Sequence, residues 1–163
     1  MSNAESPEPV NFRRATTDDV ETIALFNRQL AEETEDKVLD PETIRLGVAA
    51  GLGHFPEVQY FVAEAAGSVV GQLMFTREWS DWRNGWMLWL QSVYVTSDYR
   101  KRGIFGGLFD FALQTVSVDQ PSVGVRLYAE RDNHDAIAVY EHLGFGDAGY
   151  RILEMTTFEP YGR

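Results

Sequence analysis

The clearest chemistry in this chain lies in Arg100-Lys101-Arg102-Gly103-Ile104-Phe105-Gly106. Basic residues, then glycines, then an apolar-periodic segment make a strand-to-helix turn that can receive an anion. The first turn of a helix carries unpaired N–H groups and a partial positive charge, and glycine lets a ligand approach the backbone. The run Val93-Tyr94-Val95 leads into this turn as a strand. A nucleotide-like cofactor bearing a pyrophosphate is therefore expected here. In a chain of net charge -11 the basic triplet is a local exception, which favours anion binding over an ordinary solvated face.

A second stretch with chemical potential is Glu78-Trp79-Ser80-Asp81-Trp82-Arg83-Asn84-Gly85-Trp86. Aromatic rings beside carboxylates can hold a cationic amine by charge and cation–π contact. Trp79 and Trp82 are thus candidate substrate contacts, with aromatic packing at a sheet edge or dimer contact as the competing account. His54, His134 and His142 have no metal-ligand spacing and cysteine is absent, so no metal and no thiolate nucleophile are expected.

These groups need elements to position them. The 163 residues suit one domain with one core. Residues 1–9 read as a flexible leader, in part resembling an expression remnant, and 10–163 as a single domain. The acidic balance disfavours nucleic acid and would suit a cationic substrate. No apolar run is long enough for a bilayer and no secretory pattern opens the chain, so no membrane association is expected. The absence of cysteine agrees with a reducing, cytoplasmic setting.

Strands are expected over Val10–Ala15, Tyr60–Ala65, Val69–Arg77, Trp86–Val95 and Val123–Ala129, with one or two more in Phe145–Phe158. The nearly all-apolar Trp86–Val95 should be central. Helices are expected from Thr17 or Asp18, with Asp18 and Glu21 at capping-box spacing, and from Asp40-Pro41 to Gly51. Two more should cover Gly103 to about Val118, and Asn133 or His134 to Gly144. Hairpins mixed with strand-helix-strand crossovers argue for one mixed sheet flanked by helices, an α/β (α+β) class.

The loop Arg100-Lys101-Arg102-Gly103-Ile104-Phe105-Gly106 and the later Asn133-His134-Asp135-Ala136-Ile137-Ala138-Val139-Tyr140-Glu141-His142-Leu143-Gly144-Phe145 fit together. They resemble the two acetyl-CoA signatures of the GNAT superfamily of N-acetyltransferases, Arg/Gln-x-x-Gly-x-Gly/Ala and Asn-x-x-Ala-x-x-x-Tyr-x-x-x-Gly-Phe. The opening Phe12-Arg13-Arg14-Ala15-Thr16 with Asp18 and Asp19 is also similar. Phe105 departs from the first signature, so its side chain must turn away from the pyrophosphate.

The resemblance implies a mostly antiparallel sheet of about six or seven strands, splayed between strands 4 and 5, with about four helices. It implies acetyl-CoA as co-substrate. The amides of Lys101 through Gly106 would take the pyrophosphate, with Arg100 opening that loop. Backbone at Val93, Tyr94 and Val95 would pair the pantetheine arm. An N–H near Val93 would stabilise the oxyanion. Tyr140 would be both a cofactor contact and the general acid for the leaving thiolate, and Asn133 a cofactor or helix-start contact.

Some relatives place a glutamate where this chain has Tyr128, so the base stays open. Glu78 acting through water is the first choice; Glu130 and a water chain are alternatives. Gln91, Ser92 and Tyr128 could contact substrate or order water. The acceptor would be an amine-bearing small molecule or peptide, and the tryptophans permit a homodimer. The alternative is an acyl-CoA-binding sensor without turnover. A nucleotide-triphosphate or dinucleotide protein is disfavoured, since the chain has no Gly-Lys-Ser/Thr loop and no Gly-x-Gly-x-x-Gly with an acidic ribose partner.

Overall fold

Strand β2 (Val58–Ala65) is apolar on both faces and must be covered twice. Its Tyr60 and Val62 join Ile23, Ala24 and Val48 in one core layer. Phe61 points the other way and meets Phe75 and Phe111 edge-on. Helices α1 (Val20–Glu35) and α2 (Pro41–Leu52) cover the first face, and α3 (Ile104–Asp119) covers the second. The computed structural model describes residues 9–155 and 157. The chain folds as two compact units, Met1–Leu127 and Tyr128–Arg163.

The first unit holds a sheet in the order β1-β2-β3-β4-β5, with β1 (Val10–Arg14), β3 (Ser68–Ser80), β4 (Gly85–Val95) and β5 (Ser122–Arg126) beside β2. All neighbours are antiparallel except β4 and β5, which run parallel. Hairpin β2–β3 turns on Ala66 and Gly67, both at positive φ, the backbone a tight hairpin requires. Gly85 permits close approach of the parallel strand: a Cβ there would lie 2.3 Å from Val123 Cγ1.

Local chemistry accounts for the helix starts. Asp40 caps α2 by accepting from the Thr43 N–H at 2.8 Å, and Pro41 opens the helix. The expected Asp18/Glu21 capping box is displaced. Thr16 and Asp19 form it, at a 3-10 turn over Thr17–Asp19, and α1 proper starts at Val20. The reason is tertiary. Asp19 is buried and takes Arg13 Nη1 at 2.8 Å and Nη2 at 2.9 Å, so the box forms where the acid also meets Arg13.

The second unit holds α4 (His134–His142). The strands expected in Phe145–Phe158 are not formed among the described residues, and Val123–Ala129 shortens to end at Arg126. Among the described residues the sheet therefore has five strands, fewer than expected. A strand exists by its ladder, and the segment after α4 has no such partner among the described residues. It turns instead at Gly149, whose N–H donates to Asp147 Oδ1 at 2.7 Å. Residues 156 and 158 of the expected strand region lie outside the described residues.

Candidate active site

The parallel ladder ends at Trp89↔Arg126, but β4 continues through Leu90–Val95. From there on β4 is paired with β3 and its other side is free of β5. On the β3 side the register slips: Met74 faces Gln91 and Gln72 faces Tyr94. Leu73 is thus opposed by both Ser92 and Val93, a β-bulge, with Ser92 at φ 53. The Ser92 carbonyl accepts from Gln72 Nε2 at 3.1 Å.

After Val95 a short 3-10 turn (Ser97–Tyr99) leads into the basic loop. Arg100 Nε donates to the Val95 carbonyl at 2.8 Å and Nη2 to Glu33 Oε2 at 2.6 Å. Glu33 Oε1 accepts from the Tyr94 hydroxyl at 3.0 Å. Burial, and then Glu33, raises the Tyr94 phenol above its ordinary range. Arg100 therefore ties the strand end to α1. Lys101 at φ 60 and Gly103 at φ 74 bend the loop so that α3 begins at Ile104. Lys101 and Arg102 are exposed, and Arg102 lies 4.9 Å from the Tyr99 ring centre. The first turn of α3 carries no acid, and a Cβ on Gly106 would meet nothing within 4 Å. Phe105 packs toward Phe109, with ring centres 6.1 Å apart, which leaves the outer side of the turn to Gly106. An open helix start flanked by basic residues fits a pyrophosphate.

A polar strip crosses the adjoining strands. Gln91 Nε2 donates to Thr76 Oγ1 at 2.7 Å. Trp89 Nε1 donates to Glu78 Oε2 at 2.6 Å, and Arg126 Nη1 to Glu78 Oε1 at 2.9 Å. Thr76, Glu78, Trp89, Gln91 and Arg126 are brought together. Trp79 is not: as the next residue along the strand it faces the opposite side. There it stacks edge-on with Trp86 at 5.2 Å, while Arg77 lies 4.1 Å over Trp86. Trp79 and Trp82 are 51% and 87% exposed, Trp82 in the turn beyond β3.

In the second unit, Asn133 Oδ1 caps α4 by accepting from the Ala136 N–H at 3.2 Å. Tyr140 meets Phe145 edge-on at 5.9 Å, and burial raises its phenol above the ordinary value of 10.0. Glu130 Oε2 accepts from the Asp132 N–H at 2.7 Å, and Tyr128 is exposed. Among the described residues no cluster of His, Cys, Asp or Glu could hold a metal.

Residues 21–145 match the model of the Acetyltransferase (GNAT) family. The chain belongs to the GNAT acetyltransferase family. A possible acetyltransferase from Clostridium difficile 630 shares its fold at TM-score 0.83 and 43% identity, over 93% of this chain and 100% of that one. An N-alpha-acetyltransferase of Saccharolobus solfataricus is 29% identical over 157 residues, 89% of this chain and 86% of its own length. A protein of Clostridium acetobutylicum, described as a predicted acetyltransferase with acetyl-CoA, shows the same fold at TM-score 0.73 and 16% identity, over 91% and 96%.

The GNAT match spans both units, from α1 through α4. This acetyltransferase also holds residues that composition and motif did not single out: Asn27, Glu33, Gln72, Thr76, Trp89 and Arg126. Gln72 had a signal of its own, since it is the lone amide in the apolar run Val69-Val70-Gly71-Gln72-Leu73-Met74-Phe75. The others become visible only through strand register.

Proposed function

We propose that this acetyltransferase moves the acetyl group of acetyl-CoA directly to a primary amine of a small molecule or peptide. The observation that carries the reading is the juxtaposition of the Ser92–Val93 bulge with an anion-ready start of α3. Acetyl-CoA supplies an activated acyl thioester. The amides of Lys101 through Gly106 hold its pyrophosphate, and the side of β4 that β5 leaves past Trp89 pairs its pantetheine amides at Val93–Val95 as an added strand would, beside the Arg100 contact to the Val95 carbonyl.

The Val93 N–H takes the negative charge that builds on the thioester oxygen, a contribution of about 3–4 kcal/mol to the barrier. The attacking amine must first lose a proton, and an alkyl ammonium with a pKa of about 10.4 holds it at neutral pH. Glu78 serves this step through water, because each carboxylate oxygen already accepts a direct hydrogen bond. The nitrogen lone pair forms the new N–C bond, the C–S bond breaks, and Tyr140 protonates the leaving thiolate. Burial keeps that phenol protonated above its usual range, as a general acid requires.

The name of the Saccharolobus solfataricus relative supports a peptide α-amine among the acceptors. The two units serve one catalytic domain over 10–163, working in the cytoplasm, and the aromatic hairpin suits a homodimer contact. The test is to incubate the protein with acetyl-CoA and a panel of polyamines, amino sugars and peptide N-termini while following free thiol. Thiol release with one amine class supports the reading. Tight acetyl-CoA binding with no release from any amine replaces it with a sensor.

A further inference from the structure

We infer that Gln72 is a positioning residue for acetyl transfer: its side-chain amide turns the Ser92–Val93 peptide so that the Val93 N–H faces the thioester. This rests on the proposed reaction and adds to it the group that sets the donor's direction.

Gln72 is completely buried in β3. Its Nε2 donates to the Ser92 carbonyl at 3.1 Å and to Asn27 Oδ1 on α1 at 2.8 Å. The Ser92 contact decides which way the amide points, because a main-chain carbonyl can only accept. In a trans peptide the C=O and the following N–H are antiparallel. Holding the Ser92 carbonyl toward Gln72 therefore aims the Val93 N–H away from Gln72, on a stretch of β4 past Trp89 that β5 no longer pairs.

The arrangement is poor for stability alone. Gln72 Oε1 is buried without a hydrogen-bond partner, the one such side-chain atom among the described residues. A buried unsatisfied acceptor opposes folding. Ser92 sits at positive φ, a conformation that non-glycine residues seldom adopt. An orphaned acceptor and a strained residue meeting at one peptide are explained if that peptide's direction matters to the reaction.

The test uses Gln72→Met, which keeps the volume and removes the orphan, and Gln72→Glu, which keeps the shape. For Gln72→Met the expected result is a kcat at least about tenfold lower, with the acetyl-CoA Kd close to wild type. The Val93 amide peak in the ¹H–¹⁵N spectrum of the free protein should also move. For Gln72→Glu only the protonated acid can donate to Ser92, so its rate relative to wild type should rise as pH falls. Should Gln72→Met fail to fold, the pH profile of Gln72→Glu still decides. A folded Gln72→Met enzyme as fast as wild type, or a Gln72→Glu profile parallel to wild type, overturns the role of Gln72 alone. A wild-type protein that binds acetyl-CoA but turns over no amine overturns the reaction itself.

Discussion

Glu78 and Arg126 reach across β4 to each other, 2.9 Å from Oε1 to Nη1, with Trp89 on the intervening strand donating to the second carboxylate oxygen. The carboxylate is thus tied by both oxygens beside the place where β4 and β5 part. If it relays the amine proton through water, Glu78→Gln should lower kcat/KM by roughly 10²-fold. The acetyl-CoA Kd from calorimetry should not change. A loss under about threefold would assign the proton to solvent and leave Glu78 as a strut for Arg126.

Tyr140 should matter more to turnover than to cofactor affinity. Tyr140→Phe keeps the ring that packs on Phe145 and removes only the hydroxyl. The expected loss is about 10²-fold in kcat. The direction of the phenol's shift adds a pH test. Burial raises it above 10.0, so the acid stays protonated throughout the neutral range. The wild-type kcat should then show no alkaline fall below about pH 10. An alkaline limb near neutrality that disappears in Tyr140→Phe contradicts this.

Gly106 offers a test that separates the proposed phosphate binding from folding. It stands in the first turn of α3 with open space where a Cβ would go. An acidic residue there suits the helix start and should leave Tm unchanged. It should also repel a pyrophosphate. Gly106→Asp is expected to weaken acetyl-CoA roughly 10- to 100-fold, the equivalent of losing one charge-assisted hydrogen bond. Unchanged affinity would move the phosphates away from this turn.

The Arg13–Asp19 pair offers a stability test remote from the chemistry. Asp19 is buried, accepts two bonds from Arg13, and takes the Thr16 N–H at 2.7 Å. Asp19→Asn should cost about 1.5–3 kcal/mol in denaturant unfolding. The Arg13 hydrogen bonds hold the Asp19 carboxyl below its ordinary 3.8. The folded state therefore binds that proton less readily than the unfolded state. The contribution is full above about pH 4 and is lost as pH falls further through the folded value. The gap between wild type and variant should close on acidification; a constant gap would remove the charge from the explanation.

The basic, glycine-containing loop was legible in the sequence because its chemistry is local. Arg100 to Gly106, the preceding strand and the following helix are contiguous, and helix-start amides need no distant partner. The caps at Asp40 and Asn133 were legible for the same reason. The signature around Tyr140 marked the family, and the order of elements through α4 followed from periodicity and turn residues.

What lay beyond the sequence was everything that depends on register. The bulge at Ser92–Val93 exists only relative to Leu73 on another strand, and one slip in pairing redirects every later side chain. Trp79 and Glu78 are neighbours in the chain yet lie on opposite sides of the sheet. Gln72 meets Asn27 and Ser92, partners from α1 and β4, so no window along the chain contains all three. Among the described residues after Phe145 no strand forms, for the same reason in reverse: the apolar pattern was present, but a ladder needs a second strand. Sequence alone determined the family, the fold class and the basic, glycine-containing turn that opens α3. Tertiary structure decided which side chains converge and which side-chain amide meets the Ser92 carbonyl, because those depend on long-range pairing.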